Sequence, residues 1–185
     1  QLVLLRVNNS VAERVNRPSD FTGNVTDMTF FTISGNNYIY YAGKLDTRTV
    51  LMRTRVDVDD FEVVADWDNV HSVVAAGTYV YFIGDTGGAT NVLGYTDGTL
   101  TDKVTLGGVQ MSGITTLTAF TGRLYVKNIA TQLIGVNGTV AQLVTNSSNN
   151  LISVGAFTEF NRHLLVAADE AGGTADVELF GINQS

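Results

Sequence analysis

The sequence predicts an all-β, β-propeller-like fold: about four blades of four antiparallel strands, with one surplus terminal strand. Three observations carry this. Val, Thr, Tyr and Phe are abundant, and the 185 residues hold nineteen glycines against a single proline, Pro18. That is the composition of short strands joined by glycine and Asn/Asp turns. The apolar runs Tyr38–Tyr41, Tyr79–Phe82, Leu124–Val126 and Leu164–Val166 start 41, 45 and 40 residues apart, and four-stranded repeats at about 40–45 residues mark propeller blades. No segment keeps a 3.6-residue apolar period, so almost no helix is expected.

The best-defined repeat runs from Ala76 to Val104. Gly77 turns the chain into a strand over Tyr79–Ile83, and a glycine-rich loop, Gly84–Thr90, leads to a second strand over Asn91–Thr96. Asp97-Gly98 then launches a third over Leu100–Leu106. Asp-Gly between strand-like runs reads as a type I′ hairpin, which needs positive φ at both central residues.

Naming the strands of each repeat a to d, the runs above are b strands. The a strands lie near Met28–Ile33, His71–Ala75, Ile114–Phe120 and Leu151–Phe157, apolar and β-branched as an inner strand should be. The d strands, over Val11–Val15, Phe61–Ala65, Lys103–Leu106 and Ala141–Val144, are more polar, as suits a water-facing edge. Each c strand ends in a turn that opens with Asn or Asp: Asn8-Asn9-Ser10, Asp57-Val58-Asp59, Asp97-Gly98-Thr99, Asn137-Gly138-Thr139 and Asn183-Gln184-Ser185. Such side chains cap their own turns and tolerate the left-handed region.

The blades therefore fall at roughly 17–69, 70–113, 114–150 and 151–185, the last completed by a d strand from 8–16. Residues 1–7, with Leu2, Val3, Leu4 and Leu5, form a c strand for which four blades leave no place. Three arrangements are open: the strand adds to the edge of a neighbouring subunit, it belongs to a longer propeller, or it packs on its own rim. Free apolar strands promote aggregation, so something should cover it. The start at Gln1 reads either as a terminus processed after signal-peptide removal or as a fragment boundary.

Here the residues carry a resemblance. Asp97-Gly98-Thr99 after Val92–Thr96, Gln132-Leu-Ile-Gly-Val-Asn-Gly-Thr139, Glu178-Leu-Phe-Gly-Ile-Asn-Gln-Ser185 and Val3-Leu-Leu-Arg-Val-Asn-Asn-Ser10 resemble the ELWxxDGT repeat of extracellular β-propeller proteins. The tryptophan is replaced in every copy, by Gly94, Ile134, Phe180 and Leu5, and the stretch Met52–Asp59 departs further. The resemblance implies propeller-like blades and an extracellular or surface-associated protein of structural or adhesive role.

Composition narrows the chemistry. A net charge of −7 argues against nucleic acid and anionic membrane surfaces. No cysteine is present, which removes disulfides, zinc–thiolate sites and a thiol nucleophile. No stretch has the length of a membrane span.

Candidate sites stand beside plainer readings. Asp57, Asp59 and Asp60, with Asp66 and Asp68 near, offer oxygen ligands for calcium, the one cofactor considered, but lack the glycine and terminal glutamate of a calcium loop; a solvated turn explains them as well. Two similar b–c loops should emerge on one rim, one carrying Asp85, Thr86, Gly87 and Gly88, the other Asp169, Glu170, Gly172 and Gly173. They suit repeated ligand sites, a glycan among them, or simple hairpins. His71 and His163 fall in separate blades without a nucleophile elbow, and the glutamates occupy variable repeat positions, so no enzyme is expected. Most aromatics read as core, with Trp67 and Tyr95 kept as surface candidates for sugar stacking. Asn8, Asn24, Asn137, Asn146 and Asn183 open glycosylation sequons, three of them at c–d turns that generate the motif anyway. The function this supports is a non-enzymatic module that assembles with neighbouring subunits through terminal strands, or alternatively a lectin-like propeller using its rim loops.

Overall fold

A computed structural model describes residues 5–8, 11–14, 21–56, 58, 61–146, 149–172 and 176–183; for residues up to 24 only the backbone is described. These residues form an all-β protein of antiparallel sheets without a helix. The first sheet is a meander of β3 (Phe21–Ile33), β4 (Asn36–Leu45), β5 (Arg48–Arg55) and β6 (Phe61–Ala65). The second repeats it with β7 (Asp68–Ala76), β8 (Tyr79–Thr86), β9 (Ala89–Thr96) and β10 (Thr101–Lys103). In the third, β13 (Ile114–Phe120), β14 (Arg123–Asn128), β15 (Leu133–Asn137) and β16 (Val140–Leu143) are joined by the hairpin β11 (Thr105–Leu106) and β12 (Val109–Gln110), with β11 parallel to β16. The last sheet has a hairpin of β17 (Thr145–Asn146) and β18 (Asn149–Ile152), then β19 (Phe157–Phe160), β20 (His163–Glu170) and β21 (Glu178–Asn183). Apart from these, β1 (Leu5–Asn8) and β2 (Val11–Arg14) pair only with each other.

Local chemistry sets the turns. Ser34-Gly35, Thr121-Gly122 and Asn161-Arg162 each hold two successive residues at positive φ between paired strands, as a type I′ hairpin requires. The loop expected over Gly84–Thr90 is shorter than that. Thr86 pairs with Ala89, so the whole connection is Gly87-Gly88, both at positive φ. Asp97-Gly98 is not the I′ turn expected, since only Gly98 is left-handed; the Asp97 carboxylate instead accepts the N–H groups of Thr99 and Leu100, both at 2.8 Å. A side-chain cap has replaced the second left-handed residue.

Successive sheets pack on one another through apolar seams. Tyr40, Ala42 and Leu51 of the first meet Val70, Val73, Val80 and Phe82 of the second. Tyr81, Ile83 and Leu93 meet Ile114, Leu124 and Ile134 of the third, and Tyr125 and Leu133 meet Leu151, Leu164 and Val166 of the last. The opening strands β3, β7 and β13 adjoin in series. Among the described residues no substantial contact joins the last sheet to the first, so they close neither a barrel nor a ring.

The strand expected over Lys103–Leu106 is divided between two sheets. Thr101–Lys103 stays beside β9, whereas Thr105 and Leu106 pair with β16. Between them Val104 is buried, donating to the Leu93 carbonyl at 2.9 Å and accepting from Met111 N–H at 3.1 Å. Forty residues on, Val144 repeats this with Leu133 and Leu151, both at 3.0 Å. A d strand from 8–16 was expected to complete the last sheet; Val11–Arg14 pairs with β1 instead, and β21 has no partner but β20 among the described residues. β1 and β2 are neighbours in sequence and pair from Asn8↔Val11 to Leu5↔Arg14, which commits β2 near its own sequence.

Candidate functional site

The two expected rim loops carry equivalent carboxylates. Each precedes a glycine pair by one residue, Asp85 before Thr86-Gly87-Gly88 and Glu170 before Ala171-Gly172-Gly173. Asp85 accepts the Asn69 side-chain amide at 2.7 Å and the Asn91 backbone N–H at 2.9 Å. These hydrogen bonds, the Asn69 one foremost, hold its carboxyl below the ordinary aspartate value. Glu170 accepts amides from Asn146 and, at 3.1 Å, from Asn149, and is lowered for the same reason. Both are strand residues, and so is Asp169, which caps the Glu170 N–H at 2.8 Å. Gly173 lies outside the described residues.

Bulges in β7 accompany Asn69, one of the two Asp85 donors. Pairing with β8 shifts between Asp68 and His71 and again between His71 and Val74, and Asn69 and Ser72 take positive φ there. Asn91, also left-handed, accepts from His71 Nε2 at 3.2 Å, while His71 Nδ1 meets Ser72 Oγ at 3.1 Å. Asn is the non-glycine residue that best tolerates this conformation. Sequence reading missed Asn69 and Asn91; the available signal was Asn interrupting otherwise strand-like runs.

The acidic run divides. Asp57, Asp59 and Asp60 lie outside the described residues. Asp66 and Asp68 are drawn to one guanidinium, Arg48, at 2.8 and 3.4 Å. Among the described residues no three His, Asp or Glu side chains are gathered to hold a metal ion. Tyr95 is not a surface aromatic, and Trp67 is half-buried. Trp67 packs edge-on against Phe82 at 4.9 Å in the first seam, and Tyr95 is buried against Tyr79 at 5.4 Å in the second. The seams need large side chains to fill the space between stacked sheets, and these rings supply it.

Of the sequon asparagines, Asn137 is exposed at its c–d turn. The Asn146 amide is engaged by Glu170, and Asn183 Oδ1 accepts from His163 Nδ1 at 2.6 Å. The side chains of Asn8 and Asn24, and the whole of Leu2, Val3 and Leu4, lie outside the described residues; Leu5 opens β1.

A cavity of about 200 Å³ lies under the β11–β12 hairpin, lined by Leu106, Met111, Ile114 and Ile134 with Asn128 at its polar side. Polar ties also bind the sheets. Arg53 Nη1 bridges Tyr40 Oη at 2.9 Å and the Gly98 carbonyl at 2.7 Å, with Tyr38 stacked 4.8 Å away and Glu62 paired to Nη2. Asp27 and Thr29 of β3 accept the N–H groups of Val73 and Ala75. No helix among the described residues is long and apolar enough to cross a membrane.

The most asymmetric feature is the outer edge of the last sheet. Leu93, Leu133 and Leu179 occupy one repeat position, four residues before the Asp or Asn of the c–d turn. Leu93 and Leu133 are 0% exposed and Leu179 is 69% exposed. Val177, two residues before it, and Phe160 of β19 are likewise exposed apolar residues. The chain matches no protein-family model, no curated protein and no solved structure.

Proposed function

We propose that the chain is a non-enzymatic structural or adhesive module of extracellular or surface-exposed character, built of propeller-like blades and assembling with further subunits through its terminal strands. The observation that carries this reading is the change in Leu179. A residue buried under the next unit at two seams stands exposed at the last, on a strand that pairs with β20 alone among the described residues. Exposed edges that carry apolar side chains are templates for strand addition. The four serial meanders, the adjoining first strands and the 40-residue recurrence of the Val104 and Val144 links support the blade reading. Light scattering of the full chain beside a variant lacking residues 1–7 tests it. Oligomers that the truncation reduces to monomer are expected; a full chain that stays monomeric at high concentration overturns the reading.

A lectin-like role is favoured by one observation, the equivalent placement of Asp85 and Glu170 with amide donors around each. Glycan-array binding lost in Asp85→Ala and Glu170→Ala supports it, and no binding by the parent protein removes it.

A further inference from the structure

We infer that the space beside Gly135, between the third and fourth sheets, is a binding site for a small aromatic carboxylate whose charge is taken by Arg123. Its defining residues, Arg123, Tyr125, Gly135 and Gln142, all lie in the third sheet. The site therefore stands whether or not the chain assembles.

Equivalent rows of residues cross the first three sheets. Direct cross-strand partners are Tyr40, Arg53 and Glu62 in the first, and Tyr81, Tyr95 and Asp102 in the second. In the third they are Tyr125, Gly135 and Gln142. The middle residue fills the seam in the first two rows. Arg53 reaches the Gly98 carbonyl of the second sheet at 2.7 Å, and Tyr95 is buried in the seam with the third. Gly135 supplies no side chain, and a cavity of about 250 Å³ lies there. Tyr125, Val144 and Ile182 are among its apolar lining, Arg123 and Gln142 among its polar. The backbone does not require glycine at this point. Gly135 has no positive φ, and a Cβ would stand 3.6 Å from Tyr125 Cε1 and from Val144 Cγ2, ordinary contact distances. A glycine inside a strand without such a requirement marks a place where something else approaches closely.

Charge changes along with shape. The third member of the row is acidic in the first two sheets, Glu62 and Asp102, and is the neutral amide Gln142 where the cavity opens. No carboxylate lines the cavity among the described residues. Two residues before the row tyrosine stand Tyr38, Tyr79 and Arg123 in turn. Arg48 and Arg53 are held by Asp66, Asp68 and Glu62, whereas Arg123 has no ion pair among the described residues. A guanidinium offers its donors as a planar fork that matches a carboxylate. Size selects the rest of the ligand. An apolar cavity of roughly 150 Å³ admits one benzene ring, so about 250 Å³ holds a ring with a carboxylate attached. The second sheet shows a ring in this very place, since Tyr95 packs 5.4 Å from Tyr79. A ligand ring at Gly135 takes the position of Tyr95, meets Tyr125 at its edge or offset face, and finds Arg123 where Tyr79 would stand.

The test is a titration of the full chain with benzoate, followed by backbone amide shifts, beside benzamide as the uncharged ring and acetate as the ringless anion. Saturable shifts confined to the residues around Gly135 and Tyr125 are expected for benzoate. Its affinity should exceed that of either control by about tenfold or more, the worth of a hydrogen bond to a charged group. Arg123 is exposed, and Arg123→Gln should bring benzoate to the level of benzamide. Gly135→Tyr supplies the side chain that the second sheet already has, and should abolish binding while raising the melting temperature. Circular dichroism matching the parent establishes that both variants fold; if Gly135→Tyr does not, Arg123→Gln decides alone. No saturable benzoate shifts in the parent, or binding unchanged in either folded variant, overturns the site. Acetate binding as tightly as benzoate overturns the aromatic ligand. None of these outcomes alters the mass seen by light scattering, so the assembly reading falls or stands separately.

Discussion

Tyr81 Oη donates to the Gly138 carbonyl at 2.7 Å, so a b-strand side chain of the second sheet holds the c–d turn of the third. Arg53 holds the equivalent Gly98 carbonyl of the second sheet, with Tyr40 behind it. Burial pushes the Tyr81 hydroxyl up to about 12, so it remains a donor throughout the pH range in which the protein is handled. Tyr81→Phe keeps the ring in its seam and removes only this bond. A loss of about 1 kcal/mol is expected, read from the urea midpoint at unchanged slope.

Gly77 sits where two hairpins touch. Its φ is +60° and a Cβ there would stand 2.8 Å from the Gly122 carbonyl oxygen. Gly88, at φ +81°, has open space around it. Gly88→Ala therefore meets only the left-handed penalty of about 1–2 kcal/mol. Gly77→Ala adds displacement of backbone, about 1–3 kcal/mol more, and the gap between the two melting temperatures is the measurement.

The leucine series separates burial from residue type. Leu133→Ala opens a cavity in a sealed seam and should cost about 2–5 kcal/mol. Leu179→Ala, at the same repeat position, should stay within about 0.5 kcal/mol for dilute monomer. Chemical denaturation of both at low concentration decides, and equal losses would mean that Leu179 is covered in solution.

Acid sensitivity follows from the turn carboxylates. The N–H groups of Leu100 and Thr99 hold Asp97 below the ordinary aspartate value, and the Asn69 amide and Asn91 N–H do the same for Asp85. Their folded pKa values lie under the unfolded ones. The stability they contribute is therefore fully present above the ordinary aspartate range, about pH 4, and is lost as pH falls through the lowered values. Asp97→Asn retains an oxygen acceptor, so its thermal midpoint should track the parent at neutral pH more closely than that of Asp97→Ala. Its acid slope should be shallower than the parent's.

Much of the strand order is legible in the residues, because b strands such as Tyr79–Phe82 are apolar runs bounded by turn formers. The short hairpins were hidden. Gly107-Gly108, both at positive φ, closes a hairpin with arms of only two residues, too short for any alternation to register. The rim was readable in part: Asp85 and Glu170 are found by aligning the glycine pairs, but the Asn69 donor to Asp85 sits at a bulge of β7 that periodicity does not show. Trp67 and Tyr95 misled because a ring beside a polar loop looks exposed until the next sheet is laid on it.

The seams have a mechanical consequence. Among the described residues each sheet is gripped by its immediate neighbours, so unfolding an inner one breaks two seams and unfolding the first or the last breaks one. Opening should begin at the outer sheets, the Leu179 end among them, and travel inward. Backbone amides of β20 and β21 would then exchange with solvent sooner than those of β8 and β9, and whatever covers that last edge would stiffen the whole row.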